Sequence, residues 1–282
     1  MRILNRYYRF DLYLLVYNLL IGLLLIWAGF QSAHWWLPAA LHFLFIPIQS
    51  ILISRYGRHH FLVDWFRLTY PIWCTSFYYQ ELNHYIYLIG SRSLDSVLAR
   101  LDETIFGFPI SLNLAIGSPL WLNEWFHLCY FAYYFLIIGS PFLYLLRNRK
   151  DVLIRFMNSL TGAFYFSYLL FILLPAEGPR NYYFSDGMTR LDGYFFTVLA
   201  QNLVYSGGLK GGALPSTHCL IAVICWYYMY QFNRKLGYGL LIPVISLIIG
   251  TVWCRFHFAV DSILGILIAV VCLVYEERRS RT

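Results

Sequence analysis

Two histidines and an aspartate carry the chemistry open to this chain. His257 lies in Cys254-Arg-Phe-His-Phe-Ala-Val-Asp261, four residues ahead of Asp261, and His218 closes the run Pro215-Ser-Thr-His218. At the start of a helix, positions four apart share a face. The Asp261 carboxylate can then hold one ring nitrogen of His257 and leave the other free to attack. His218 can act as a general acid toward a leaving oxygen, then as a base toward an incoming hydroxyl. Arg180, in Glu177-Gly-Pro-Arg180, and Arg255 and Lys210 supply positive charge. With Ser216 and nearby backbone N–H groups they suit the oxygens of a phosphoryl group and their developing charge. The reaction class that fits is phosphoryl transfer through a phosphohistidine. No cluster of carboxylates suggests a metal, so cations of the protein take its place, and no cofactor is expected.

The elements that must position these groups begin with Gly207-Gly-Leu-Lys-Gly-Gly-Ala-Leu-Pro-Ser-Thr-His-Cys219, a glycine-rich loop running straight into an apolar helix. Glycines let the backbone approach a ligand, Pro215 suits a first helical turn, and the free N–H groups that follow point at an anion. Glycine beside Pro-Ser-Thr is also an ordinary way to begin a helix, so the loop gains its meaning from the other two motifs.

Composition sets the solvent. Of 282 residues, 60% are hydrophobic and 12% charged, against about 25% charged in a globular domain. The chain reads as all-α, a polytopic membrane bundle of about eight transmembrane helices with one amphipathic surface helix, since roughly twenty apolar residues cross the hydrocarbon. The spans are expected at 12–30, 36–53, 68–89, 125–146, 152–174 and 215–232, with two more in 237–275. That last stretch is roughly 58 Å long as one helix, about twice the membrane core, and its only polar break is at Arg255 to Asp261. Residues 54–67 read as a polar link. Leu94, Val97, Leu98, Leu101 and Ile105 repeat at helical spacing among charges, which predicts a helix lying along the membrane surface as a connector. The first apolar run is too long for a cleavable signal, and the six cysteines, lacking any CxxC spacing, read as small buried apolar residues.

Fifteen of the twenty-one Lys and Arg fall on one side of this topology, at the N-terminus, in the second, fourth and sixth loops, and in the tail. The positive-inside rule makes both termini cytoplasmic. The net charge of +7 is then explained by an anionic leaflet without nucleic acid. All three motifs fall together on the opposite, exoplasmic face.

At these residues the chain resembles the phosphatidic acid phosphatase type 2 superfamily. Pro215 to His218 and Arg255 to Asp261 are similar to its second and third signature motifs. Glu177 to Arg180, and the stretch Leu101-Asp-Glu-Thr-Ile-Phe-Gly-Phe-Pro109, resemble its inositol phosphorylceramide synthase-like branch. The resemblance covers roughly 94–275. It implies His257 as nucleophile, Asp261 as its orienter, His218 as acid and base, and Arg180 in the phosphate site. It also implies a lipid phosphate or phospholipid substrate and water or a lipid alcohol as acceptor. Three positions depart from the usual pattern: Leu173 and Asn181 around the first motif, and Thr251 where an arginine precedes the third. Arg255, two residues from His257, reaches the same phosphate only if the turn before His257 is not helical.

The whole of 1–282 reads as one integral membrane unit. It divides into two extra spans in 1–67, a phosphatase/phosphotransferase-like core in 68–275 with motifs at 177–180, 210–218 and 255–261, and a basic cytoplasmic tail in 276–282. The first two spans are expected to be peripheral, so that hydrolysis survives removal of 1–53 if the bundle folds. His42, His84 and His127 read as hydrogen-bonded bundle residues, and Asp186, Arg190 and Asp192 as loop residues on the active face. The rival reading is a transporter or channel, which predicts internal repeats and a path through the midplane; no repeat is present. An intramembrane serine protease lacks its Gly-x-Ser-x-Gly elbow.

Overall fold

The computed structural model describes residues 6–29, 35–56, 60–87, 92–184 and 190–280. Asp186 and His59, and Arg2, Arg58 and Arg281 of the basic side, lie outside the described residues. Twelve helices follow one another in these segments: α1 (Arg9–Gly29), α2 (Trp36–Arg55), α3 (Phe61–Glu81), α4 (Asp95–Phe106), α5 (Ile110–Asn113), α6 (Leu120–Leu146), α7 (Lys150–Leu173), α8 (Pro179–Tyr182), α9 (Phe195–Gly207), α10 (Thr217–Phe232), α11 (Arg234–Trp253) and α12 (Ala259–Ser280). The chain is an all-α polytopic membrane bundle. Six of these helices, α1, α2, α6, α7, α11 and α12, are long and apolar enough to cross a membrane.

Length and composition stop short of the expected eight for two physical reasons. Helix α10 has only 16 residues, roughly 24 Å at 1.5 Å per residue. It is walled by α6, α7, α11 and α12, with Leu220, Ile221, Ala222, Ile224 and Cys225 fully buried. Helix α3 carries Asp64, Arg67, Gln80 and Glu81, which lower its apolarity without interrupting it.

Residues 54–67 are therefore only in part a link. Helix α3 already starts at Phe61, because the charges of its first turns have partners inside the protein. Arg67 makes two hydrogen bonds to Asp11 of α1, at 2.9 and 2.6 Å, and Tyr70 donates to the same carboxylate at 2.6 Å. Lys150 pairs with Asp64, and Arg9 with Glu276 at 2.9 Å. These pairs tie the starts of α1, α3 and α7 and the end of α12 together at one end of the bundle. The three motifs gather at the other.

The first helix is part of the core. Phe10, Leu14 and Ile21 are fully buried, and Tyr17 stacks on Tyr165 of α7 with ring centroids 4.6 Å apart. Removal of 1–53 takes Asp11 from Arg67, so such a truncation leaves the Arg67 guanidinium without this carboxylate.

Helix α4 has three faces. Asp95, Leu98, Ala99 and Asp102 point inward and are buried. Val97, Leu101 and Ile105 form an exposed apolar stripe, and Arg100, Glu103 and Thr104 an exposed polar one. At 3.6 residues per turn these are separate sectors, as suits a helix touching protein, lipid and water. The inward edge holds two carboxylates, which makes α4 more than the connector its apolar period suggests.

Replacing Asp11 by Ala leaves the Arg67 guanidinium buried beside empty space and is expected to cost about 3–5 kcal/mol. The double replacement Asp11→Leu with Arg67→Leu should recover most of that. Thermal unfolding in detergent checks both, and a single variant that melts like the parent would mean that the pair contributes nothing.

Candidate active site

The three motifs are loops running into helix starts, and they meet through their backbones. Ala176 donates to the Gly211 carbonyl at 3.1 Å and Ala213 to the Ala176 carbonyl at 2.8 Å, a parallel bridge between the first motif and the glycine-rich loop. Arg180 N–H donates to the Arg255 carbonyl at 3.2 Å, and Ser216 N–H to the Asp261 carbonyl at 3.1 Å. Gly178 permits this packing. Its φ is +92°, and a Cβ there would lie 2.6 Å from the Phe256 carbonyl oxygen. Gly265 does the same between helices: a Cβ on α12 would meet the Ser216 carbonyl at 2.4 Å.

His257 sits in the turn Cys254–Phe258, before α12 begins at Ala259. It therefore does not share a helical face with Asp261, whose carboxylate stands at ion-pair and not hydrogen-bond distance from the ring. Its Nδ1 lies 3.0 Å from the Ala213 carbonyl, with Asp261 Oδ2 behind at 3.6 Å. A carbonyl only accepts, so Nδ1 carries the proton and Nε2 keeps its lone pair. Asp261 is fully buried and accepts instead from Phe258 N–H at 3.0 Å, fixing the turn that presents His257. Backbone carbonyls leave no trace in a motif, so sequence alone had no means to find Ala213.

His218 opens α10 and is packed between Tyr130 and Tyr133 of α6, each ring centroid 4.4 Å from its own. Its ring lies 5.6 Å from that of His257. Arg180, on α8, is buried, and its guanidinium carbon lies 5.9 Å from the centre of the Tyr205 ring. Arg180, His218, His257, Glu177 and Thr217 line one cavity of about 340 Å³. The cavity continues between α3 and α6, past Tyr133 and Tyr168, to Trp73 and Ile138, both exposed on the flank of the bundle.

The remaining expected phosphate ligands stand apart from that cavity. Ser216 is the N-cap of α10, its Oγ accepting from Cys219 N–H at 3.5 Å, and Pro215 precedes the cap instead of opening the helix. Lys210 is exposed. Arg255 fulfils the non-helical condition, with φ +64°. Its guanidinium nonetheless lies over the Phe184 ring at 4.8 Å, and its contribution on this side is the carbonyl that holds Arg180.

Two of the three unusual positions, Asn181 and Thr251, have local explanations. Asn181 donates to Glu177 at 3.0 Å, and Tyr87 donates to the other oxygen at 2.9 Å, so Glu177 braces the first motif. Thr251 is buried, and its carbonyl receives His257 N–H at 3.0 Å. Two carboxylates of α4 hold the backbone of these motifs from outside the cavity. Asp95 accepts from Glu177 and Gly178 N–H, and Asp102 from Ala259 and Val260 N–H at 2.9 Å each. Burial pushes the Asp102 carboxyl up, and these two N–H groups pull it back. Sequence reading missed both because it fixed the period of α4 but not which edge faces inward.

Against known families, the model described as the PAP2 superfamily matches residues 96–275, which is well over half of the chain. The chain belongs to the PAP2 superfamily. No curated protein and no solved structure matches it. Membership of the PAP2 superfamily makes it a phosphatase-type membrane enzyme, and α4 through most of α12 is the matched PAP2 region.

Burial first, and then the Arg180 charge, push the His257 imidazole from its ordinary 6.5 down to about 3. Because the folded value is depressed, the neutral ring contributes stability that is present above about 6.5 and lost as pH falls through about 3. Replacing Arg180 by Leu removes the second cause and should move the His257 titration upward. Histidine nitrogen shifts followed by NMR from pH 3 to 8 check this; an unmoved titration would mean that Arg180 does not reach His257.

Proposed function

We propose that this protein is a metal-independent lipid phosphatase or phosphotransferase that works through a phosphohistidine at His257. The observation that carries the reading is the single cavity in which His257, His218 and Arg180 converge and which runs on between α3 and α6 to the flank of the bundle. A lipid phosphate can place its phosphoryl group at the polar end and a chain along the apolar arm.

His257 Nε2 attacks phosphorus, an N–P bond forms, and the bond from phosphorus to the lipid oxygen breaks. His218 gives that oxygen its proton. Water or an alcohol then attacks phosphorus, passes its proton to His218, and frees His257. Arg180 neutralises charge gathering on the phosphoryl oxygens. Negative phosphate beside His218 favours its protonated form at the moment the proton is needed. Asp261 acts through the turn that holds His257, as a positioning residue.

The variant first motif, in which Asn181 and Tyr87 grip Glu177, supports the inositol phosphorylceramide synthase-like branch, with a sphingolipid or other lipid alcohol as acceptor beside water. The distribution of Lys and Arg supports cytoplasmic termini and an active site on the exoplasmic face. Eight spans, with α3 and α10 crossing, complete this topology. The candidate catalytic groups His257, His218 and Arg180 collect in one cavity at one end of the bundle, which favours catalysis over a transport path.

The test is turnover by purified protein in EDTA, on a panel of lipid phosphates, lipid diphosphates and phosphoinositides, with and without ceramide or diacylglycerol. His257→Ala should abolish phosphate release, and His218→Ala should slow it by about 10²–10⁴-fold. A new phospho-head-group lipid formed only with acceptor makes the enzyme a transferase. Turnover unchanged in His257→Ala, or lost in EDTA, would contradict the proposal.

A further inference from the structure

Helix α4 carries no residue of the three motifs, yet it touches two of their loops through charged acceptors. Asp95 receives Gly178 N–H at 2.8 Å and Glu177 N–H at 3.0 and 3.1 Å on its two oxygens. Ser93 donates to the same carboxylate. Asp102 receives Ala259 N–H on one oxygen and Val260 N–H on the other. Both aspartates are buried, Asp102 completely. Seven residues apart on one helix, they share an edge and stand roughly 10 Å from each other. Each loop precedes a reactive group by two residues or follows it by as many: Gly178 leads to Arg180, and Ala259 follows His257. Leu98 and Ala99, between the two aspartates, pack in a small apolar cluster with Ala176, Ala213, Leu214 and Phe258, so the same edge also presses on the strand of loop that orients the His257 ring.

We propose that Asp95 and Asp102 are positioning residues of the active site, and that α4 is the rigid spacer setting the distance between the Arg180 loop and the His257 loop. The inference rests on the reading of His257 as nucleophile and Arg180 as phosphate ligand, and extends it to a helix outside the motifs. Four N–H donors, those of Glu177 and Gly178 in the first loop and of Ala259 and Val260 in the first turn of α12, have carboxylate oxygens as acceptors. A carboxylate at the start of α12 is also favoured by the helix dipole. Without it the turn bearing His257 loses a fixed anchor while its side chain is untouched.

The test uses the full chain in detergent with Asp102→Leu, Asp102→Asn and Asp95→Asn. Four quantities are measured: kcat and KM on a lipid phosphate that the parent turns over, the dissociation constant of orthovanadate as a phosphoryl mimic, and the melting temperature. Asp102→Leu should lower kcat by about 10²-fold, the size of effect that a misplacement of about 1 Å produces. Asp102→Asn, which keeps one carbonyl acceptor, should fall between it and the parent and serves where the leucine variant does not fold. Asp95→Asn, which loosens the Arg180 loop, should raise KM and weaken vanadate binding more than it lowers kcat. Variants that melt lower yet keep the parent's kcat, KM and vanadate affinity would overturn the inference, because α4 would then be structural only. A parent that binds vanadate but turns over no lipid phosphate would remove the proposed function, while the vanadate affinities of the variants would still decide the role of α4. A parent that binds no vanadate would overturn both.

Discussion

Backbone amides that leave a helix at the edge of a bilayer must be met by acceptors within the protein, because the surrounding medium offers few. The candidate active site is built where that demand is greatest, in three loops at one end of the bundle. The loops satisfy one another through Ala176 and Gly211, Ala213 and Ala176, Arg180 and Arg255, and Ser216 and Asp261. What they cannot satisfy is taken by buried carboxylates. Glu124 of α6 meets the first N–H groups of α9 in the same manner, accepting from Tyr194, Phe196 and Thr197. The rule gives the loops a fixed shape before any ligand arrives, which is what a site that stabilises charge by preorganised dipoles requires.

The opposite end of the bundle answers a different demand. There the charges of Arg9, Arg67 and Lys150 are paired with Glu276, Asp11 and Asp64, so ionic groups brought in by long-range packing are neutralised. The helices that carry these pairs also frame the site: α3 forms one wall of the cavity, α7 another, and α1 backs α7.

How much of this was legible in sequence follows from the range of the interactions. Helices declared themselves through long apolar runs, and the break in 237–275 was placed correctly because only one polar stretch interrupts it. Order and spacing of motifs brought His218, His257 and Arg180 together before any coordinates. Most of the misses involve partners distant in the chain. Arg67 looked like part of a polar link because Asp11 is 56 residues away. Nothing nearby in sequence marks Asp102 as an acceptor, because Ala259 and Val260 lie more than 150 residues on. Ser216 was taken for a phosphate ligand, whereas its hydroxyl serves the α10 cap, a choice that composition does not distinguish. The orientation of His257 rests on a backbone carbonyl, which every residue has and no motif encodes.

The central claim is that His257 Nε2 carries the phosphoryl group in transit. The most direct measurement is mass spectrometry of the protein quenched at alkaline pH during turnover of a lipid phosphate, using His218→Ala to slow the second step. The account predicts one acid-labile, base-stable phosphate on the peptide containing His257 and none in His257→Ala. A protein that turns over while His257 remains unmodified, or a phosphate found on another residue, would contradict it.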